Sequence, residues 1–557
     1  MNDVSVTTSD PGTFPEPSLP QGLLAWLSIF GPGAIIASLT IGTGELIFST
    51  RGGSLFGYRI LFLFAIISLL KWGLLLASSR HIMLTGVHPY ERMLELPGPR
   101  GWFLLMLLGM STICMPIWIS FHSSVLGNLT SWVTNTQGAF HGGGDYLWGS
   151  LILVCMLVLS AMGGYTVLEK IQTAVVLAMV GCAVWTLLLY HPDWLAMLGG
   201  IVPQPLSYPS WLAVRYPEIS QHSVWVETTR YVGVIGGAGF DYLAYTSWLR
   251  EKGWGMASRR ATEAEVQAIA ADPQHVQRRW LRAPLIDSSI SFGMVVVFSA
   301  VFVASGTIVM GPNQVVPDED NLLNLQATMV TQIHAWLLPL YVIGAFLTML
   351  GTLYGTIEIA CIIANEILRS CVPLWTPRQT HRLRRACITW CATVAFLILA
   401  WLFIRQVRPT EITNHPTASF GTTHVEAPTR QAKEEGADAR TRKAVNQPKI
   451  LLNALLTPVN LFTGVLFCSV VCFLNVWMDR RWLPNPLRLP WWLTGLNVLS
   501  GFVFLVLGIK GYWDHPSRWF ALSGLFGMAV GSMILAVFLG PKYFPISTPK
   551  PFAERGN

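Results

Sequence analysis

Apolar residues in this chain gather into long runs separated by polar stretches, and twelve of the runs are long enough to cross about 30 Å of hydrocarbon as a helix. They lie near 23–49, 57–85, 102–129, 147–163, 167–190, 231–250, 287–311, 335–368, 384–404, 450–477, 489–513 and 519–540. The pattern predicts an all-α polytopic membrane protein of about twelve transmembrane helices, termed spans one to twelve.

Two of the spans carry their own interruptions. Span one holds Gly31-Pro32-Gly33 and then Gly42-Thr43-Gly44-Glu45. Glycine costs about 1 kcal/mol against alanine inside a helix. A carboxylate at mid-membrane depth costs roughly 2.5–3.5 kcal/mol on insertion scales and marks function by default. Span six repeats the device in Gly233-Val234-Ile235-Gly236-Gly237-Ala238-Gly239-Phe240-Asp241-Tyr242. Because five spans separate the two starts, span six enters the membrane from the opposite side. Spans one to five and six to ten therefore read as inverted-topology repeats, each opening with a broken helix, and unwound points of this kind hold ions and small solutes in secondary transporters. A rival reading makes the glycines of span one a packing surface, with Glu45 neutralised by a neighbouring helix.

Domain limits follow. A transmembrane domain over 23–540 contains repeat one (about 23–190), repeat two (about 231–477) and two added helices (489–540), flanked by tails at 1–22 and 541–557. Alternate loops are basic: Arg92 and Arg100; Lys170; Arg250, Lys252, Arg259, Arg260, Arg278, Arg279 and Arg282; Arg369, Arg378, Arg382, Arg384 and Arg385; Arg480, Arg481 and Arg488. The opposite set is poorer, and one member carries Asp318, Glu319 and Asp320. The basic set is expected in the cytoplasm, with both termini inside and the plasma (inner) membrane as the compartment. The 405–449 stretch mixes both signs and reads as a polar extracytoplasmic insertion.

Composition agrees with a bilayer as solvent: 52% of residues are hydrophobic, 12% are charged and the mean hydropathy is +0.48, against about 25% charged in soluble proteins. The net charge of +7 sits in loops between apolar runs, so it points to topology and not to nucleic acid. The nine cysteines fall mostly inside apolar runs, and Cys387/Cys391 and Cys468/Cys472 read as small packing residues. Residues 1–22 contain no Lys or Arg and show no cleavable signal; they read as a disordered tail. No nucleophilic, phosphate-binding or HExxH pattern is present, and Gly142-Gly143-Gly144 lacks a following Lys-Ser/Thr. An enzyme and a bound cofactor are not expected.

Gly31-Pro32-Gly33, the break at 42–45 and Phe56-Gly57-Tyr58 have the spacing of the first helix in the Nramp (natural resistance-associated macrophage protein) divalent-metal transporters. Thr85-Gly86, Val167-Leu168-Glu169-Lys170 and the stretch from Trp194 to Pro203 are similar in style. From residue 22 to span ten the chain resembles a divergent Nramp-related protein. The resemblance implies the 5+5 inverted repeat with discontinuous helices one and six, the LeuT-like fold shared with amino-acid and sodium symporters. It also locates departures. The family's Asp-Pro-Gly-Asn corresponds to Gly42-Thr43-Gly44-Glu45, so its metal-binding aspartate is Gly42 and its asparagine is Glu45. Its Met-Pro-His falls near Gly239-Phe240-Asp241, which removes the soft methionine ligand. Span three offers Ser120, His122, Ser123 and Ser124 in place of the family's proton-handling carboxylates, and span nine has no Arg between Arg385 and Arg405.

The candidate ion- or solute-binding residues are Gly42, Thr43, Glu45, Gly239, Asp241 and Tyr242. Glu45 and Asp241, with freed backbone carbonyls, make an all-oxygen site for a hard cation such as magnesium, calcium, manganese or sodium; the structural alternative pairs each with a basic group or amide. Thr40 and Tyr245 are further lining candidates. Thr356 and Glu358 of span eight are candidates for a second ion site, with an ion pair between Glu358 and Lys71 as the rival. Glu169 and Lys170 read as structural. His122 is the candidate proton handler, a plain buried histidine being its alternative. Asn453 and Pro458 mark an irregularity in span ten, and Asn128-Leu129-Thr130 matches the glycosylation pattern. The expected function is a secondary transporter moving a cation, foremost a divalent metal ion, by alternating access. Its alternatives are a transporter of an amino acid or amine and a non-transporting membrane receptor or scaffold. The expected partners are the lipid bilayer and the carried ion or solute; the oligomeric state stays open.

Overall fold

The computed structural model describes residues 29–221, 223–317, 336–372, 375–407, 458–459, 461–514 and 518–543, without the side chains of Thr43, Leu337 and 541–543. The 1–22 tail, residues 544–557 of the other tail, residues 408–449 of the insertion, Asn453 and the acidic trio Asp318, Glu319 and Asp320 lie outside the described residues.

Among the described residues every regular element is a helix. In hydrocarbon no water pairs with the backbone, so a spanning segment must close its own N–H and C=O groups, and an uninterrupted apolar run does so as a helix. The main elements in chain order are α1 (Pro32–Thr40), α2 (Thr43–Phe56), α3 (Leu61–Thr85), α4 (Trp102–Val133), α5 (Gly144–Met162), α6 (Tyr165–Tyr190), α7 (Val224–Val234), α8 (Gly239–Lys252), α9 (Arg282–Ser305), α10 (Leu337–Cys371), α11 (Pro377–Val407), α12 (Phe467–Trp482), α13 (Trp491–Asp514) and α14 (Arg518–Tyr543). Among the described residues ten helices are long and apolar enough to cross a membrane. The first of them, Gly44–Thr85, runs α2 and α3 together; separating α2 to join α1 as span one, and adding α7 with α8 as span six, gives the twelve-span arrangement with discontinuous helices one and six.

Span six begins earlier than the apolar run predicts, at Val224 and not 231. Glu227 and Arg230 break the run in the sequence, but Glu227 is buried against Arg51 of α2 and so stays within the helix. Pro458 precedes a wide π-type turn at Leu461–Leu466, as the expected irregularity in span ten requires. A second such turn, Gly306–Met310, closes span seven. The basic loop after α8 is ordered: a helix at Glu263–Ala271, capped reciprocally by Thr262 and Glu265, packs Val266 and Ile269 on Leu84, Met256, Leu483 and Leu487.

The half-helices form the centre. Every residue of α1 is buried, and Ser38 donates to Gln172 of α6 at 2.5 Å while Gln172 donates to the Gly351 carbonyl of α10 at 2.9 Å. At the periphery α14 is almost wholly uncovered and presents Trp519, Phe520, Phe526 and Phe538 outward. Polarity is thus concentrated around α1, α2, α7 and α8, while apolar side chains face the surrounding lipid.

Candidate functional site

Both predicted interruptions are present. In the first, Ile41 and Gly42 stand between α1 and α2, and Gly42 is extended (φ −124°, ψ −161°). In the second, Ile235 to Ala238 stand between α7 and α8, with Gly236 at φ +78° and Gly237 at φ +90°. Those last two angles lie in the left-handed region that glycine alone enters without strain. The breaks are in contact. A Cβ on Gly44 would fall 1.9 Å from Val234 Cγ1, and one on Gly237 would fall 2.4 Å from Thr40 Cγ2. Gly42 is pressed in the same way on Thr352 of α10, and Gly239 on Phe467 of α12.

Glu45, in the first turn of α2, crosses from one break to the other. Its Oε1 accepts the Gly236 N–H at 2.8 Å, and its Oε2 accepts the hydroxyls of Ser299 of α9 at 2.8 Å and Ser49 at 3.5 Å. Asp241 is satisfied locally: its Oδ2 accepts the Ala238 N–H at 2.6 Å, as a first-turn carboxylate does at a helix start. Glu45 is fully buried within the bundle, and Asp241 is partly buried. Both acids thus lie at the breaks, where the sequence places them.

The site also holds a cation that sequence reasoning assigned elsewhere. Lys71 of α3, fully buried, donates to the Ile235 carbonyl at 2.6 Å and to the Gly237 carbonyl at 2.7 Å. Tyr242 donates its hydroxyl to the carbonyl between them, Gly236, at 2.5 Å. Three consecutive carbonyls freed by the second break are therefore all engaged by donors from this chain. Glu45, Asp241 and the Cys468 thiol lie within electrostatic range of the Lys71 ammonium.

The ion pair between Lys71 and Glu358 is accordingly not formed. Glu358 instead accepts two bonds from Arg384 of α11, each at 2.8 Å, and one from Ser160 of α5 at 2.6 Å. Arg384, read as a loop residue, lies inside α11 because that helix starts at Pro377, about two turns before the apolar run does. Thr356 donates to the Thr352 carbonyl within its own helix at 2.7 Å. The structure therefore does not bring Thr356 and Glu358 to the breaks. His122 is buried in α4 with its ring stacked on Trp118 at 5.5 Å, on a helix packed mainly against α5, α10, α11 and α14. Asn128, the glycosylation candidate, donates its amide to Asp145 at 2.6 Å. Among the described residues no group of three His, Cys, Asp or Glu side chains converges as a metal cage.

Two further clusters close the ends of the broken helices. At the start of α1, Asp287 of α9 accepts the N–H groups of Gly31 at 3.0 Å and Gly33 at 2.6 Å, and the Tyr245 hydroxyl at 2.8 Å. Glu169, expected to be structural, pairs with Lys252 at 2.6 Å beside the same turn. Tyr245 therefore serves this end and not the breaks. At the other end Arg51 of α2 and Glu227 of α7 form a buried two-pronged ion pair. Arg51 also donates to the Pro317 carbonyl at 3.1 Å, and Tyr231 to Glu227 at 3.0 Å. Asp287 and Glu227 were not among the expected residues. The one local signal for Asp287 is the Gly-Pro-Gly start of α1, whose unpaired N–H groups need an acceptor.

No family model matches the chain, and no curated protein matches it. Its structure is similar to that of a manganese transporter from Eremococcus coleocola. A crystallised variant of that protein gives a TM-score of 0.61 at 15% identity, covering 93% of this chain and 96% of that one. The same transporter in complex with an aromatic bis-isothiourea compound gives 0.61 at 14% identity, with the same coverage. Mhp1, a nucleobase-cation-symport-1 family transporter, gives 0.47 at 14% identity, over 93% of this chain and 94% of that one. At such identities it is the fold that the likeness establishes, and this chain is an integral membrane protein built on the LeuT-like fold of secondary transporters.

Proposed function

We propose that the protein is a secondary transporter that carries a hard divalent cation across the membrane by alternating access, with Glu45 and Asp241 as its anionic oxygens. The observation that carries this reading is the reach of Glu45 from the break of one repeat to the backbone of the other. A carboxylate so placed is remade whenever the two repeats rock against each other, which is what a carrier's site must do. Two carboxylates match the charge of one divalent ion. No methionine stands at the second break, so the donors are hard oxygens suited to magnesium, calcium or manganese. Descent from the Nramp family belongs to the same proposal. It is supported by the Gly-Pro-Gly spacing in the sequence and by the structural likeness to a manganese transporter.

A second reading has its own observation. The Ile235 and Gly237 carbonyls already accept an alkylammonium, that of Lys71, so a small organic amine or amino acid is the alternative cargo. Uptake into proteoliposomes separates the two readings. Saturable entry of manganese, calcium or magnesium, lost in Glu45→Gln, is the expected result. Entry of an amine in their place would transfer the site to organic solutes. No entry of any cation above that of protein-free vesicles would overturn the proposal.

A further inference from the structure

Lys71 stands where a cargo ion would be sought. Its ammonium bridges two of the three carbonyls that the second break frees, and it lies within electrostatic range of both acids of the site. The charged and titratable groups around it come from three helices. These are Glu45 on α2, Asp241 and Tyr242 on α8, and Cys468 and Cys472 on α12. On α9 the only acid, Asp287, is twelve residues from Ser299, the partner of Glu45, or about 18 Å along the helix. Among the described residues Lys71 is the one cation within electrostatic range of Glu45 and Asp241, so when both acids are ionised the cluster carries −1 with Lys71 and −2 without it.

We propose that Lys71 is a tethered stand-in for the cargo, holding the Ile235 and Gly237 carbonyl oxygens and offsetting the charge of the nearby carboxylates between cargoes, and giving the carbonyls up when a cation binds. The inference rests on the cation reading above. Its physical content is a competition for one set of oxygens. A free cation needs the Ile235 and Gly237 carbonyls unoccupied, and the four-carbon stem of Lys71 lets its ammonium swing off them while α3 stays in place. When the cargo leaves, Lys71 returns. The empty site is then neither stripped of hydrogen bonds nor burdened with two uncompensated buried charges, and the carrier closes and resets without a passenger.

The test compares net uptake into cation-free vesicles, which needs return of the empty carrier, with exchange against the same cation inside, which does not. For the wild-type protein in proteoliposomes, using whichever cation it carries, the two rates should agree within about threefold, because Lys71 supports the empty return. In Lys71→Met, and in Lys71→Gln as a second variant, exchange should persist within about threefold of wild type while net uptake falls at least tenfold. The cation should also bind these variants about tenfold more tightly, since its competitor is gone. A wild-type protein whose exchange outpaces net uptake tenfold or more overturns the proposal without any variant. Variants that lose both rates equally, or neither, overturn it too, the first by making Lys71 purely structural. A wild-type protein that transports no cation sinks the cation reading itself, a separate outcome.

Discussion

The break in span one is two residues long and the break in span six is four, and the difference decides what each contributes. Across the short break, the Leu39 carbonyl is taken by Thr352 at 3.2 Å and the Gly42 carbonyl by Leu46 at 3.1 Å, so little main chain is left open. What it offers is a side chain, Glu45, aimed outward from the first turn of α2. Across the longer break the backbone turns through two positive φ angles and presents three carbonyls and an N–H to the interior. Its own carboxylate, Asp241, bends back to cap α8. One break supplies a carboxylate that crosses between the repeats and the other supplies backbone, so the proposed site needs both.

The comparison can be broken at its strongest point by Glu45→Gln. The amide keeps an acceptor for the Gly236 N–H and removes the charge. Losing charge-assisted contacts of about 1.5–3 kcal/mol each should cut cation affinity some 100-fold, measurable by titration in detergent while the melting profile stays cooperative.

Next in size is an asymmetry between the glycines. Gly237→Ala forces an L-residue to φ +90° and drives its Cβ against the Thr40 methyl. About 2–3 kcal/mol of stability should be lost, read as a lower unfolding temperature. Gly42→Ala keeps a backbone any residue adopts and meets only the Thr352 side chain, its hydroxyl at 2.4 Å and its Cγ2 at 3.0 Å, so about 1 kcal/mol is expected. Equal losses would mean that the two breaks are held alike.

The smallest expected effect is that of Asp241→Asn. Its amide oxygen can still accept the Ala238 N–H, so the α8 cap survives and affinity should fall about five- to tenfold. A loss matching that of Glu45→Gln would make Asp241 an equal partner and erase the division of labour drawn above.

Much of this architecture was readable from the chain itself. Run length and hydropathy set the spans, because a lipid environment leaves the backbone one economical choice. Glycine clusters beside a lone carboxylate located both breaks to within a few residues, because helix propensity and the cost of a buried acid are local quantities. Charged residues hid two helix edges. Arg384, counted with the basic loops, and Glu227, outside the predicted span six, both lie in helices, since each is neutralised by a partner that the run of apolar residues does not show.

What only the folded protein decided is which distant groups meet. Lys71 lies 164 residues from the carbonyl of Ile235, Asp287 lies 256 from Gly31, and Arg51 lies 176 from Glu227. In the sequence Lys71 is a solitary charge in an apolar run, and its obvious partner by composition was the wrong one, Glu358. Hydropathy records how much each residue costs to bury. The choice of partner depends on directions and distances that exist only once the two broken helices lie side by side, when a buried ammonium takes the nearest unpaired oxygens, here those of the second break.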